Sequence, residues 1–80
     1  MEHIMHGWHL NRAPALDEVI VTDDRGHVVA SRPLAREVTD DRDAWDRALT
    51  NLGYTRTDDW TAVTGGHRCT VTRGEHLVRT

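Results

Sequence analysis

The stretch from residue 44 to residue 71 constrains the fold most, because a helical pattern there gives way directly to a strand pattern. Four apolar side chains recur at the i, i+3, i+4 and i+7 spacing of a helix face that packs on a core: Trp45, Ala48, Leu49 and Leu52. Gly53 follows, where helices commonly end in a left-handed residue. The pattern predicts a helix over about residues 40–52, with Thr39 or Asp40 as its cap.

Two runs with strand character follow this helix, at residues 59–64 and 67–72, and Gly65-Gly66 separates them. A two-residue turn at these glycines pairs Thr64 with His67. The same register places four apolar side chains on one face, in the pairs Ala62 with Cys69 and Trp60 with Val71. Turn type and burial pattern agree, so the segment predicts a hairpin with one buried face.

Residues 18–31 predict a second hairpin, because EVIVT and HVVAS are rich in β-branched residues. The segment from Asp23 to Gly26 between them suits a type I turn with glycine in the left-handed position. The register stays open at this point. A four-residue loop pairs Val21 with Val28, and a three-residue loop shifts every pair by one position.

Either register leaves apolar side chains on both faces of this first hairpin, whereas a small antiparallel sheet normally has one wet face. We therefore expect something to cover the second face, either an N-terminal arm that carries Trp8 or another subunit. Five residues are the resulting candidates for an interface: Trp8, Val19, Val21, Val28 and Val29.

Residues 1–15 predict an N-terminal arm or short strand, and residues 16–80 predict a single β-β-α-β-β domain. On a strand, Ile4, His6, Trp8 and Leu10 share one face. The expected fold is α+β, a small antiparallel sheet with one helix packed on a face and an extra N-terminal strand as an option.

Composition sets limits on the class of protein. Eighty residues with 38% apolar content make one domain with a thin core, and the single cysteine excludes an internal disulfide. A homo-oligomer or protein partner would add stability. The formal net charge of −3 argues against bulk attraction to nucleic acid or membrane surfaces. No apolar segment reaches the roughly 18 residues of a membrane span, and no signal peptide is visible, so we expect a cytoplasmic protein.

Every basic residue is an arginine, which is typical of codon bias in a GC-rich genome. Arginine also suits bidentate phosphate contacts. The second predicted hairpin carries threonines on its wet face beside several arginines, so nucleic acid stays a possible partner. The candidates for such contacts are Arg56, Arg68, Arg73 and His67.

His3, His6 and His9 are weak candidates for a metal site. Zinc needs three or four ligands that converge on one point. On a strand, His3 and His9 share a face about 20 Å apart while His6 points the other way, and on a helix the three spread over a wide arc. We therefore expect neither a physiological metal nor a cofactor.

No group of residues predicts catalysis. Cys69 and His67 share a predicted strand face, but Cys69 lies in the predicted core, where a thiol stays protonated. The adjacent carboxylates Asp23-Asp24 and Asp58-Asp59 point to opposite sides of the backbone rather than across a cleft. We therefore expect a protein that is not an enzyme.

The segment WDRALTNLGYTRTDDWTAVTGGHRCTVTR resembles the helix–strand–strand unit of HicA-type toxins, which are small ribonucleases with a fold like that of double-stranded-RNA-binding domains. That family begins with the helix and carries Gly-Ser-His on the next strand. This chain has a hairpin before the helix and no Ser-His, so the active-site histidine is not carried over. The segment also looks like small proteins of GC-rich bacteria and their mobile elements, which implies no function.

The function that these patterns predict is a small non-catalytic interaction module that binds a protein or associates with itself. The alternative is a nucleic-acid-binding or HicA-like nucleolytic domain that uses the second hairpin.

Overall fold

The computed structural model of the chain describes residues 4–12, 16–34 and 41–74. These residues form a small α+β domain with one helix and six strands in a curled antiparallel sheet. The elements are β1 (Met5–Arg12), β2 (Leu16–Thr22), β3 (Val28–Pro33), α1 (Arg42–Asn51), β4 (Tyr54–Arg56), β5 (Thr61–Val63) and β6 (Gly66–Arg73). No helix within these ranges is long and apolar enough to cross a membrane.

The strand order is β3-β2-β1-β6-β4, with β5 paired to β6 beside β4. Strand β1, which begins within the predicted arm or short strand, lies at the centre between β2 and β6. Helix α1 packs on one side of the sheet, which we call the covered face, and there the core forms. The other side, called the open face, carries the alternate residues of the same strands.

The core combines the helix stripe with side chains from the covered face. Trp45, Ala48 and Leu49 are buried as the spacing predicts, and Leu52 packs against them with partial exposure. The sheet contributes Val19, Val21, Tyr54, Cys69 and Val71, and two residues outside the strands join them: Leu34 after β3 and Trp60 before β5.

Helix α1 is slightly shorter than predicted and has a different cap. Asp41 is the N-cap, and its carboxylate accepts a hydrogen bond from the Asp43 backbone N–H. The predicted caps Thr39 and Asp40 are therefore wrong, and both lie outside the described residues. Gly53 does follow the helix in a left-handed conformation with φ of 96°, as predicted.

The first hairpin forms with the shorter of the two predicted loops. Asp23 N–H donates to the His27 carbonyl and Gly26 N–H donates to the Asp23 carbonyl, so three residues make the turn and Gly26 has φ of 85°. Thr22 then pairs with Val28. A bulge shifts the register, so that Val21 pairs with Ala30 and not with Val28.

The second hairpin turns at Thr64-Gly65, and the predicted turn at Gly65-Gly66 is wrong. Ala62 pairs with His67 and Val63 with Gly66, a register two positions away from the prediction. A two-residue shift preserves the faces, so Cys69 and Val71 are still buried. Gly66 lies in β6 against β1 instead of in the turn, and a Cβ there would overlap the carbonyl oxygen of His9.

A strand absent from the prediction, β4, also pairs with β6. Between β4 and β5 the backbone leaves the sheet. There the Asp58 carboxylate replaces the backbone as a hydrogen-bond acceptor for β6. It accepts hydrogen bonds from the backbone N–H and the hydroxyl of Thr70 at 2.7 and 3.0 Å. The Thr70 backbone hydrogen bond lowers the pKa of Asp58 despite an opposing effect of burial.

Gly7 leaves room on β1 for the side chain of Leu49 from helix α1 and for two side chains of β6. A Cβ at this position would lie 3.0 Å from Leu49 Cδ2, 3.0 Å from Val71 Cγ1 and 3.2 Å from Cys69 Sγ. We expect Gly7→Ala to lower the free energy of unfolding by about 1–2 kcal/mol through overpacking, and Gly7→Val to lower it further. Chemical denaturation measures both variants, and an alanine variant as stable as the wild type would contradict this account of the packing.

Candidate functional site

The open face has an aromatic side chain at its centre. Trp8 lies opposite Ile20 on one side and Arg68 on the other. Its indole N–H donates to the Thr22 hydroxyl at 2.9 Å, and the Arg68 guanidinium carbon lies 5.5 Å from the ring centroid. No described element packs on this face as a second layer. Ile20 and Thr22 are nevertheless buried, because the Trp8 side chain helps to cover them.

Two exposed apolar side chains, Val28 and Val29, are neighbours at the start of the edge strand β3, and we call this pair the apolar corner. Ile4, Val28 and Val29 are 54%, 57% and 48% exposed, and they are the large hydrophobic side chains found exposed in the described ranges. Ile4 precedes the central strand β1 and lies outside this corner, whereas Val28 begins β3 in the same cross-strand row as Thr22 and His6. The corner therefore joins the open face to the outer edge of β3.

The five predicted interface residues are divided between two environments. Val19 and Val21 have no exposed surface and belong to the covered face under α1. Trp8 is half-buried on the open face, while Val28 and Val29 are exposed. The apolar pattern on both faces of the first hairpin is therefore covered on one side by the chain's own helix.

Among the predicted nucleic-acid contacts, Arg56 already binds within the chain. Its Nε and Nη2 lie 2.8 and 3.1 Å from the two carboxylate oxygens of Asp46, and its Nη1 donates to the Asp58 carbonyl. Asp46 also accepts from the Trp60 indole at 2.9 Å. Arg56 thereby ties the loop between β4 and β5 to helix α1.

The other three predicted contacts do not share a surface. Arg68 is exposed on the open face, whereas His67 lies on the covered face beside His9. Arg73 is exposed near the end of β6, opposite Tyr54. The structure therefore does not gather Arg56, Arg68, Arg73 and His67 into one patch for phosphates.

A cluster of polar groups lies on the covered face at the end of the sheet away from the apolar corner. His9 is only 2% exposed, and its Nε2 lies 2.7 Å from the Asp17 carboxylate. Its Nδ1 lies 3.4 Å from Nδ1 of His67. The His9 ring stacks on Trp45 with centroids 3.9 Å apart, and the His67 ring lies 4.7 Å from the same indole.

Burial, the neighbouring His9 and the positive charge of Arg42 lower the pKa of His67. Arg42 belongs to the first turn of α1 and lies over the Trp45 ring, 5.9 Å from its centroid. Asp17, His9, His67 and Arg42 thus meet where the beginning of the helix crosses the sheet. Asp17, His9 and His67 form a chain of facing hydrogen-bonding groups, and Arg42 adds a positive charge beside it.

The proposed histidine ligands do not come together. His6 and His9 lie on opposite faces of β1, and His3 lies outside the described residues. Within the described ranges, no three histidine, cysteine, aspartate or glutamate side chains are placed to hold a metal ion.

Cys69 is a buried core residue, in agreement with its position in the sequence pattern. Burial and the nearby Asp58 raise the pKa of its thiol to about 12, although a backbone hydrogen bond to Gly7 acts in the opposite direction. A thiol with this pKa stays protonated and is a poor nucleophile.

The partnership of His9 with Asp17 and His67 was missed in the sequence. His9 and Asp17 are eight residues apart on neighbouring strands, and His67 is 58 residues from His9. A pairing of β1 with both β2 and β6 brings them together, and no short motif signals that pairing. The one available signal was that His9 shares a strand face with the small residue Gly7.

Asp46 offers a test of the structural role of Arg56. Burial raises the pKa of Asp46, but hydrogen bonds from Arg56 and Trp60 outweigh it and lower this pKa below its usual value. We expect Asp46→Asn to lower the free energy of unfolding by about 1 kcal/mol at pH 7, since the pair is half-exposed. The difference from wild type should shrink below pH 3.8, because protonation of Asp46 removes the same charge.

Urea unfolding at pH 7 and at low pH measures this difference, and Asp59→Asn is the matched control. Asp59 faces the same Arg56 at 3.7 Å but is fully exposed, so little change is expected. Equal effects of the two substitutions would contradict a structural role for the Asp46–Arg56 pair.

Comparison with known proteins places the chain in no family: no protein-family model matches it, and neither does a curated protein or a solved structure.

Proposed function

We propose that this protein is a small non-catalytic interaction module that associates with a second copy of itself through the edge of β3 and the apolar corner. The observation that carries the proposal is the position of the exposed hydrophobic side chains. Val28 and Val29, two of the three large hydrophobic side chains exposed in the described ranges, adjoin each other at the start of the edge strand β3. A grouped apolar patch beside polar residues is typical of an interaction site.

The edge of β3 supports the proposal independently. Among the described strands, β3 pairs with β2 alone, so the backbone groups on its outer side are available for pairing. An edge strand of six residues that is exposed along nearly its whole length is a template for another strand. Val28 and Val29 lie on this same strand, so pairing at the edge would also bury part of the apolar corner.

A second copy fits this edge because antiparallel pairing of β3 with itself creates a twofold interface with identical contacts. In a register centred on Ala30 and Ser31, the valines of one copy lie beside Arg32 of the other. The aliphatic part of an arginine side chain can cover apolar surface while its charge stays in water.

Charge also favours pairing at this edge. The chain carries a formal net charge of −3 and has thirteen acidic residues, yet the segment Val28–Pro33 contains none of them. Two copies that meet along β3 therefore bring no carboxylates together within the paired strands.

The nucleic-acid alternative has weaker support. Arg56 is held by Asp46, and His67 lies on the face opposite Arg68. Arg68, with Trp8 on the open face, and the exposed Arg73 near the end of β6 remain candidates for a contact to phosphate or base.

Sedimentation velocity over about 1–100 μM tests self-association, and we expect a concentration-dependent dimer. Val28→Lys should weaken the dimer at least about tenfold, because the lysine charge would lie beside the like charge of Arg32 in the other copy. Thr50→Lys is the matched control, since Thr50 is exposed on helix α1 and away from β3. A wild-type chain that stays monomeric at the highest concentration would overturn the proposal.

Fluorescence anisotropy with a labelled RNA at about 50 mM salt tests the alternative, since phosphate attraction is strong at low salt. If the protein is the proposed interaction module, we expect it to show no saturable binding of the RNA. Binding that weakens with salt and disappears in Arg68→Ala, together with a monomer in sedimentation, would replace self-association with nucleic-acid recognition.

A further inference from the structure

The cluster at the helix end of the covered face contains a buried histidine whose two ring nitrogens both have partners. His9 Nε2 faces the Asp17 carboxylate at 2.7 Å, and its Nδ1 faces His67 Nδ1 at 3.4 Å. A carboxylate only accepts hydrogen bonds, so Nε2 of His9 must carry a hydrogen. The remaining question is which of the two facing Nδ1 atoms carries one.

Two protonation states allow the contact between His9 and His67. In the first, both rings are neutral, His67 Nδ1 donates and His9 Nδ1 accepts. In the second, one added proton makes His9 an imidazolium that donates to both Asp17 and His67. The Asp17 carboxylate balances the charge of His9 in this second state.

A second added proton is incompatible with the contact. Both Nδ1 atoms would then carry hydrogens that point at each other across 3.4 Å, and two positive rings would lie side by side. Asp17 contacts His9 and not His67, so it cannot offset both charges. The pair therefore accepts one proton while closed and must separate to accept another.

We propose that Asp17, His9 and His67 form a pH-operated latch, which joins β1, β2 and β6 beneath the beginning of helix α1 and opens when both histidines are protonated. His67 is the part that moves, because it is half-exposed while His9 is buried and stacked on Trp45. The latch lies on the covered face, so its response to pH does not depend on self-association through β3.

The positive and negative charges around the latch lie on different sides of the two histidines. Helix α1 contributes Arg42, whose positive charge opposes protonation of His67. The cross-strand row through His67 and His9 continues to uncharged Ala62 on one side and through Val19 to Arg32 on the other. Asp17 is the carboxylate in contact with the pair, and it lies on the far side of His9.

The consequence for stability follows from the lowered pKa of His67. Above the ordinary histidine value of about 6.5, His67 is neutral in both the folded and the unfolded chain and adds no pH dependence. As the pH falls below that value, the unfolded chain takes up the proton first, so stability is lost until the folded pKa is reached. Acid therefore favours opening of this end of the sheet.

Histidine-selective NMR of the full chain between pH 8 and 4.5 tests the latch. We expect His67 to titrate below about 6.5, with an Nδ1 shift that reports loss of the contact to His9. In His9→Gln the midpoint of His67 should rise, because the neighbouring charge is gone. His27→Gln, in the exposed turn of the first hairpin, is the matched control and should leave that midpoint unchanged.

Thermal unfolding supplies a second measurement in case His9→Gln does not fold. The melting temperature of the wild type should fall more steeply between pH 6.5 and 4.5 than that of His67→Gln, which lacks the titrating ring. A His67 midpoint at or above about 6.5, or identical pH profiles for wild type and His67→Gln, would overturn the latch.

Discussion

The contact between helix α1 and the central strand β1 is the constraint on which the rest of the structure depends. At Gly7 the Leu49 side chain of the helix meets Val71 and Cys69 of the neighbouring strand β6, and the three fill the space that a side chain would take. The same approach brings Trp45 onto the ring of His9, two residues further along β1. One small residue therefore sets both the packing of the core and the environment of the histidine cluster.

A second close approach, between β1 and β6, explains why the second hairpin does not turn at its glycine pair. Local turn chemistry favours Gly65-Gly66, since two adjacent glycines suit a two-residue loop. Gly66 is instead required in the sheet, because any side chain there would overlap the His9 carbonyl. Gly65 alone supplies the left-handed residue of the turn, with φ of 86°. Tertiary contact with β1 thus decides between two turns that are locally acceptable.

Features encoded by neighbouring residues were predictable from the sequence, and features that depend on strand order were not. The helix stripe that ends at Gly53, the Asp23–Gly26 turn and the buried face of β6 follow from spacing and turn residues. The central position of β1 and the added strand β4 depend on pairings with β6, which is more than fifty residues from β1. The candidate sites divide similarly: a local pattern was enough to name Val28 as an interface candidate, whereas no local pattern indicated the partners of His9.

The two faces of the sheet place different demands on the same strand. On the covered face, β1 presents Gly7 and His9 to the helix, so every group there must be packed or hydrogen-bonded. On the open face it presents His6 and Trp8, where partial exposure is tolerated. The histidine cluster and the apolar corner also lie toward opposite ends of the sheet, about 10 Å apart along the strands by their register. Changes at such separate positions are expected to act nearly additively, so protonation of the cluster can loosen the fold while the outer edge of β3 keeps its surface.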